Sequence, residues 1–438
     1  MEPLNNRHPY SFRSSADDAL PTRRGVLKLG MAAGASWLTG VAELLAQQPA
    51  PGERSAGETR AQSVILLWLE GGPSQLETFD PHPGSPIAGG TKAIATRVPG
   101  LQLAEDFEQL ADQMQSVSLV RSIVTKEGDH TRGAYLAKTG YRPNPTAVHP
   151  SIGAICCHEL AVGGTEIPRH ISILPSSSAG RGGFLGSRYD AFRIGDPAQP
   201  VSDVAGWVDH ERFQRRLGDL NVVDRAFERP RRTLLAVDQP RHTLKAARRI
   251  MSSEQLAAFE VSQEPRGVLR RYGDTPFGRG CLAARRLIEV GVRCVEVNLT
   301  GWDSHAENHK IQRRLVRTLD PAFAALLADL RERDALKRTV VLCAGEFGRT
   351  PRINALDGRD HWPNGFSVAL AGGGIRGGLA VGETDPHGSR DVKDPHAYAD
   401  IHATILTALG IDRGKENISR AGRPIRLSEG EPIKALLG

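Results

Sequence analysis

The sequence is poor in the features that mark several large classes of protein. Aromatic residues make up only 5% of the 438 residues, and the five cysteines form no C-x-x-C pair. This pattern excludes a disulfide framework and a zinc knuckle, and it predicts buried free thiols, with no bridge between the adjacent Cys156 and Cys157. The net charge of +6 favours anionic partners, but no basic stripe is interleaved with aromatic residues. Nucleic acid is therefore not an expected partner.

Long hydrophobic runs are also missing beyond the N-terminal region. A membrane span needs about 18 or more consecutive apolar residues, and no stretch after residue 50 reaches that length. Before residue 50, Arg23 and Arg24 precede the weakly apolar run LGMAAGASWLTGVAELLA. This order predicts a twin-arginine signal segment over 1–50, recognised by the twin-arginine export machinery, and a periplasmic or otherwise exported protein. An ordinary amphipathic helix and an uncleaved anchor are the alternatives.

The remainder of the chain alternates between apolar, β-branched runs and stretches of helical periodicity. A Pro- and Gly-containing linker over 51–62 precedes a single domain over 63–438, which includes a charged helical excursion over 203–270. The periodicity predicts strands over 63–69, 117–124, 170–174, 292–299, 339–344 and 366–371, and helices over 103–114, 151–160, 280–290, 313–334 and 400–409. This order predicts an α/β protein with a mostly parallel sheet flanked by helices.

Chemically active side chains follow two of these predicted strands. Glu346, Arg349, Asp360 and His361 come after the strand over 339–344, and Asp303 and His305 after the strand over 292–299. In parallel sheets such residues meet at the carboxyl edge, where ligands bind. Carboxylates and imidazoles suit divalent metals, so the pattern predicts a metal site. A salt-bridged loop is the alternative reading, and His309 is a weaker candidate.

Two further stretches are candidates for the same edge. Glu70 ends the first strand and runs into Gly71 and Gly72, so it either borders the site or merely adjoins a turn. The stretch from Asp129 predicts a helix whose free N–H groups and positive dipole could meet a phosphate or sulfate through His130, Thr131 and Arg132. A plain capped helix, with Asp129 or Thr131 as its N-cap, fits the same residues.

Several motifs together resemble one exported bacterial family, called domain of unknown function 1501. They are GGPSQLETFDPHP, GDHTRGAYLAKTG, TPFGRGCLAARRLIEVGVRCVEVNLTGWDSH, AGEFGRTPRIN, GRDHWP and DIHATILTALG. The family looks related to the superfamily of alkaline phosphatases, sulfatases and cofactor-independent phosphoglycerate mutases. The resemblance implies an alkaline phosphatase/sulfatase-like α/β fold, and phosphoryl or sulfuryl transfer at a two-metal site.

The resemblance carries over unevenly to individual residues. Asp303, His305 and His361 resemble ligands of the superfamily, and Glu70 could stand for the aspartate of its first strand. Glu346 and Phe347 occupy the places of an aspartate and a histidine. His130 falls at the position of the sulfatase cysteine, and no cysteine or serine is present there. Either His130 or Thr131 is then the nucleophile, or a water is activated directly, or activity is lost.

The function predicted from these residues is an exported metal-dependent hydrolase of phosphate or sulfate esters. Two divalent ions (Zn, Mn, Ca or Mg) are expected, and Arg132 or Arg349 would neutralise the anionic transition state. The substrate is expected to be an anionic small-molecule or polysaccharide ester. The alternatives are a non-catalytic metal-binding or surface-assembly protein of the same fold and a metal-dependent sugar-processing hydrolase. The predicted metal ligands are Glu70, Asp303, His305, Glu346, Asp360 and His361.

Overall fold

The structure is a computed structural model. It describes residues 60–161, 164–175, 177–201, 211–212, 215, 251, 253–419 and 421–438. The predicted signal segment, nearly all of the predicted linker and most of the predicted helical excursion lie outside the described residues. Of that excursion the described part includes two short 3₁₀ turns, Glu254–Phe259 and Val261–Gln263, and the helix Arg266–Tyr272.

Apolar runs of β-branched residues form the central sheet. Fourteen strands occur among the described residues: β1 Ser63–Glu70, β2 Ala93–Ala95, β3 Gln102–Ala104, β4 Val117–Ile123, β5 His170–Ile173, β6 Phe192–Ile194, β7 Cys294–Thr300, β8 Thr339–Ala344, β9 Gly348–Arg349, β10 His361–Trp362, β11 Phe366–Gly372, β12 Ala380–Val381, β13 Glu416–Ile418 and β14 Pro424–Arg426. Eight of them form one sheet in the order β12-β4-β11-β8-β1-β7-β5-β6. Only β11 runs against its neighbours, so the predicted mostly parallel sheet is confirmed.

Strand β1 lies at the centre of this sheet, between β7 and β8. The pairing places Glu70 opposite Thr300 and Trp68 opposite Ala344, so the three strands end at one edge. Their side chains are buried along almost the whole length because helices cover both faces of the sheet. The segment that follows each of the three strands therefore begins in the same place.

Seven α-helices lie wholly within the described residues. Their bounds are α1 Glu108–Ala111, α2 His130–Thr139, α3 Ile152–Glu159, α4 Arg266–Tyr272, α5 Pro276–Glu289, α6 Asn308–Glu332 and α7 Tyr398–Ala408. The predicted helix over 103–114 is wrong. That stretch contains β3, the four-residue α1 and a 3₁₀ turn, because Asp106 adopts a left-handed φ of 74° that interrupts helical geometry.

Two hydrophobic clusters lie on opposite faces of the sheet. Alternate residues of β1 divide between them: Ile65, Leu67 and Leu69 belong to the cluster that contains Phe323 of α6. Val64, Leu66 and Trp68 belong to the cluster that contains Ile401 of α7. The period of two along a strand thus explains why β1 is apolar throughout.

The cysteines lie within these layers. All five are free and buried, and burial raises the pKa of the Cys157 thiol to about 12. Among the described residues, no helix combines the length and the apolar character that a membrane crossing requires.

Candidate metal centre

The candidate site lies where β1, β7 and β8 end. A glycine turn follows β1, and Gly71 adopts a φ of 115° that only glycine takes readily. A Cβ on Gly71 would come within 2.5 Å of the backbone nitrogen of Asp303. Glycine at this position therefore lets the segment after β7 pack directly against the segment after β1.

Arg349 holds this turn and Asp303 together. Its side chain is fully buried, and it donates to the carbonyl oxygens of Gly71, Gly72 (2.9 Å) and Arg359 (3.1 Å). One of its terminal nitrogens also donates to Oδ1 of Asp303 at 2.6 Å. Burial lowers the pKa of Arg349, although the nearby carboxylates oppose that effect. The guanidinium is thus a charged clamp inside the protein, with four of its five N–H donors used in these contacts.

Three imidazoles converge on the carboxylate of Asp303. Nε2 of His130 lies 3.3 Å from Oδ2, while Nε2 of His305 and of His361 lie 3.1 and 3.3 Å from Oδ1. Burial alone would raise the pKa of Asp303, but the hydrogen bond and charge of Arg349 outweigh it, so the pKa is lowered. Asp303 is therefore ionised at neutral pH.

Each imidazole has a partner for its other nitrogen. Nδ1 of His361 donates to the carbonyl oxygen of Gly128 at 2.8 Å, an interaction that only a protonated Nδ1 can make. Nδ1 of His305 lies 2.8 Å from Asp360, and Nδ1 of His130 lies 2.8 Å from Glu346. In the neutral rings all three Nε2 atoms then carry lone pairs. Carboxylate and carbonyl partners of this kind orient metal-binding histidines.

The lone pairs face one another at short range. Nε2 of His305 and Nε2 of His361 are 3.0 Å apart, with Asp303 beside both. Unshared pairs at such distances repel unless a cation or a proton lies between them. Ligands that are each about 2.0–2.2 Å from one ion are separated by distances of this size. The donor atoms of His130, Asp303 and His361 all lie within 4.8 Å of one another, so these three residues form a possible metal site.

Glu346 provides a second observation that fits a cation. Its side chain is 1% exposed, and Oε1 accepts from the backbone N–H of Gly71 (2.9 Å) and from His130. The other oxygen, Oε2, is buried and has no hydrogen-bond partner among the described residues. A buried carboxylate oxygen without a donor is costly, and a divalent ion bound beside His130 would satisfy it.

The structure brings most of the predicted residues together at this edge. Six of them form one connected set of contacts: His130, Asp303, His305, Glu346, Arg349 and His361. Two others, Glu70 and Thr131, line the adjoining cavity. Asp360 lies behind His305 at Nδ1, on the side away from Asp303, and its pKa is lowered by that hydrogen bond. Arg132 points elsewhere, because it donates to Glu127 at 2.6 and 3.0 Å.

Phe347 and the start of α2 complete the centre. The ring of Phe347 is fully buried, 4.4 Å from the ring of His361 and 5.1 Å from that of His130, so it forms an apolar wall behind the imidazoles. Asp129 is the N-cap of α2, and its side chain accepts from the backbone N–H of Arg132 at 3.0 Å. His130 is therefore the first residue of the helix, and its side chain lies at the positive end of the helix dipole.

A cavity of about 540 Å³ opens from the centre and runs beside α2. Its lining includes His130, Asp303 and Glu346 at one end and Lys138 and Thr139 at the other. His130 and Thr139 are nine residues apart, so the cavity extends about 14 Å along the helix. A ligand in this cavity can contact the candidate metal centre and still extend along most of α2.

Some residues around this cavity were not foreseen. Lys138 and Glu296 form a buried ion pair of 3.1 Å between α2 and β7. Tyr135 and His149 form a second pair: the tyrosine oxygen accepts from the His149 backbone N–H and lies 2.9 Å from Nδ1. A charged residue inside an otherwise apolar run, as at both Lys138 and Glu296, is the sequence signal that could have identified the first pair.

The fold and this centre define a class: an α/β protein with a possible metal site at the carboxyl edge of its sheet. Residues 61–437 match the family model described as "Protein of unknown function (DUF1501)", and the chain belongs to that family. The predicted family membership is thereby confirmed. A comparison with curated proteins gives no match.

The chain is also similar to several solved structures. The protein titled Ps i-CgsB shares 9% identity over 81% of this chain and 73% of its own, with a TM-score of 0.41. Alkaline phosphatase from the Antarctic bacterium TAB5 shares 14% identity over 80% of this chain and 99% of its own, with a TM-score of 0.34. BT1596, described as a 2-O GAG sulfatase, shares 9% identity over 81% of this chain and 71% of its own, with a TM-score of 0.37.

Proposed function

We propose that the protein is an exported, metal-dependent hydrolase of phosphate or sulfate esters. One observation carries the proposal. Three imidazole Nε2 atoms surround the Asp303 carboxylate, and each ring is oriented through its Nδ1 atom. This arrangement lies at the mouth of a cavity and beside the N-terminus of α2. Side chains that can bind a metal cation, next to the backbone N–H groups of a helix N-terminus, suit the binding of an anionic ester.

The donors divide between two proposed ions. His130, Asp303 and His361 would hold one ion. His305 would be a further imidazole ligand, because its Nε2 lies beside Oδ1 of Asp303. Glu346, through Oε2, and Glu70 would contribute to a second ion on the side of the cavity. A divalent ion supplies Lewis-acid polarisation of an ester oxygen and lowers the pKa of a bound water to about 7. The metal is Zn, Mn, Ca or Mg in this proposal.

The chain itself positions and polarises the substrate. The backbone N–H groups at the start of α2 would receive the negative oxygens of the ester, and Thr131 lines the cavity beside them. Arg349 would hold Asp303 in place through its 2.6 Å contact, and so acts on the transition state through that carboxylate. The attacking group is either Thr131 or a water molecule held beside Asp303 and His130.

Metal analysis paired with an ester panel tests the proposal. The purified protein should contain a stoichiometric divalent ion by elemental analysis, and it should hydrolyse phosphate or sulfate monoesters. The change Asp303→Asn should abolish both properties, whereas His387→Ala, in an exposed loop outside the site, should preserve both. A metal-free protein that hydrolyses esters at the same rate would disprove the metal-dependent mechanism.

A non-catalytic metal-binding protein is a second candidate, and two observations favour it. The first turn of α2 offers His130 and Thr131 where an activated cysteine or serine would be the stronger nucleophile. Arg132, in the same turn, is engaged with Glu127. Bound metal together with no turnover of any ester in the panel would select this candidate over the hydrolase.

A further inference from the structure

A second cavity, of about 430 Å³, adjoins the first. Val148 and Arg181 line both cavities, so they form a ridge between them. The far side of the ridge is lined by residues including Thr146, Phe184 and Ser419. Together the two cavities make a groove that begins at the candidate metal centre and crosses Val148 and Arg181.

Backbone contacts hold the two ridge residues in place. The N–H of Ser151 donates to the carbonyl oxygen of Arg181 at 2.9 Å, and the N–H of Phe184 donates to that of Val148 at 2.8 Å. Gly183 has a φ of 53°, and a Cβ there would come within 2.5 Å of the His149 backbone. The two segments therefore approach as closely as glycine allows, which keeps Val148 and Arg181 at the junction.

The side chains at the ridge are available to a ligand. Val148 is 58% exposed. Arg181 is exposed, and its guanidinium makes no hydrogen bond or ion pair with the described residues. Beside them, the Tyr135 oxygen accepts from the His149 backbone N–H and lies 2.9 Å from Nδ1 of the same residue. The groove thus offers a cation at a distance from the metal centre.

We propose that the groove binds an acidic oligosaccharide. The ester of one sugar unit lies at the metal centre, a following unit crosses Val148, and an anionic group of that chain pairs with Arg181. This inference rests on the proposed function for the position of the ester, and it adds the length and charge of the substrate. A guanidinium recognises carboxylate and sulfate groups through two parallel hydrogen bonds.

The composition of the groove disfavours other elongated anions. Nucleic acid bound in a groove needs aromatic side chains on which bases stack and several cations along the backbone. Among the described lining residues, Tyr135 is hydrogen-bonded to His149, Lys138 is paired with Glu296, and Phe184 is the only other Phe, Tyr or Trp side chain. Exposed Arg181 is thus the principal cation at the ridge, which suits a chain with widely spaced negative charges and many hydroxyl groups.

Calorimetric binding to a defined length series tests the inference. The probes are a sulfated monosaccharide, disaccharide and tetrasaccharide prepared from one chondroitin sulfate, together with an uncharged cello-tetraose. The metal-loaded wild type should bind the sulfated tetrasaccharide at least tenfold more tightly than the monosaccharide. Arg181→Gln should remove about a factor of ten of that preference, and Arg181→Lys should retain part of it. Arg188→Gln, which removes the same charge outside both cavities, should retain all of it.

Each other outcome overturns the inference. Equal affinity for the monosaccharide and the tetrasaccharide would show that the second cavity is unused, and equal affinity for cello-tetraose would remove the role of charge. Equal losses in Arg181→Gln and Arg188→Gln would indicate a non-specific charge effect. A single-stranded DNA of equal charge that bound as tightly as the tetrasaccharide would also refute it. Because affinity and product formation are measured in separate experiments, failure of the hydrolase proposal appears separately, as absence of product from the ester panel.

Discussion

At the residue scale, His361 has the most definite orientation in the candidate centre. A backbone carbonyl accepts from its Nδ1, so its Nε2 is the nitrogen available to a metal. Burial lowers the pKa of His361, which keeps the imidazole neutral at pH 7. Because a neutral imidazole is the form that binds divalent ions, the residue is prepared for ligation before any ion arrives.

The change His361→Ala should lower metal occupancy and the thermal stability of the metal-loaded protein. A bound ion stabilises only the folded state, by mass action, so the metal-free protein should lose much less. Melting curves of wild type and variant, each with and without a chelator, measure both effects. Equal destabilisation in the two conditions, with metal content intact, would assign His361 to packing alone.

Arg349 is the second residue with a testable structural role. The change Arg349→Lys removes most of its four hydrogen bonds and leaves Asp303 without its buried partner. We expect a loss of about 3 kcal/mol in the free energy of unfolding, together with weaker metal binding. Chemical denaturation of the metal-free variant checks the first effect, and Arg352→Lys, at an exposed position, is the control. A loss no larger than that of the control would contradict the clamp.

These two residues show what the sequence could and could not predict about the site. Its position was predictable, because apolar strands that end in charged residues meet at one sheet edge. The partners were not, because Gly128 and Asp360 reach their imidazoles through folded loops that no local pattern specifies. Arg132 and Arg349 looked equivalent in the sequence, yet one pairs with Glu127 and the other with Asp303.

At the scale of elements, buried polar pairs connect α2 to its neighbours. Lys138 joins α2 to β7 through Glu296, whose carboxylate also accepts from the N–H of Gly180 at 3.2 Å. Burial would raise the pKa of Glu296, but the charge of Lys138 lowers it to about 2. The pair therefore aligns two elements that carry metal-site residues at their ends.

The change Lys138→Met should destabilise the protein by about 3–5 kcal/mol, because it leaves the Glu296 carboxylate in the core without its charged partner. The double change Lys138→Met with Glu296→Gln should recover part of this loss. Urea denaturation at pH 7 of the four proteins in this cycle gives the coupling energy. Additive single effects would show that the two charges do not stabilise each other.

His402 connects α7 to α2, and we expect its contribution to stability to be sensitive to acid. It is fully buried, Nε2 donates to the carbonyl oxygen of Ala137 at 2.8 Å, and burial lowers its pKa to about 4. The unfolded chain, with a histidine pKa of about 6.5, binds a proton that the folded protein excludes. The contribution of His402 to the free energy of unfolding is thus complete above about pH 6.5. It is lost as the pH falls towards 4, by roughly 3 kcal/mol in all.

Stability measured from pH 7 to pH 4.5 should therefore fall more steeply in the wild type than in His402→Leu. The comparison uses the slope against pH, so any constant loss caused by the missing hydrogen bond to Ala137 does not affect it. The exposed His387→Leu variant should keep the slope of the wild type. Parallel slopes in wild type and His402→Leu would show that the buried imidazole is protonated without cost.

At the scale of the whole molecule, the sequence predicted the layered α/β architecture well and the strand order not at all. Strand β8 has the predicted bounds residue for residue, since its apolar run is sharply limited by Gly345. The reversed direction of β11 depends on a connection through β9 and β10, which are too short to leave a periodic pattern. Long-range pairing, rather than local propensity, decides such features.

The proposed export concerns the whole molecule, and its prediction depends on Arg23 and Arg24. The candidate centre combines residues from distant segments, His130, Asp303 and His361, so it exists only after folding. A twin-arginine pathway, which carries folded proteins, would let the ion bind before translocation. Changing both arginines to lysine should therefore retain the protein, folded and metal-loaded, in the cytoplasm.

Cell fractionation followed by elemental analysis of each fraction measures this outcome. The matched control replaces Arg7 and Arg13 by lysine, two similar changes in the same segment outside the arginine pair. The control should appear outside the cytoplasm at the level of the wild type. Export of the Arg23 and Arg24 double variant at that same level would reject the twin-arginine route. Metal-free protein in the cytoplasmic fraction, with metal only in the exported wild type, would show instead that the ion binds after export.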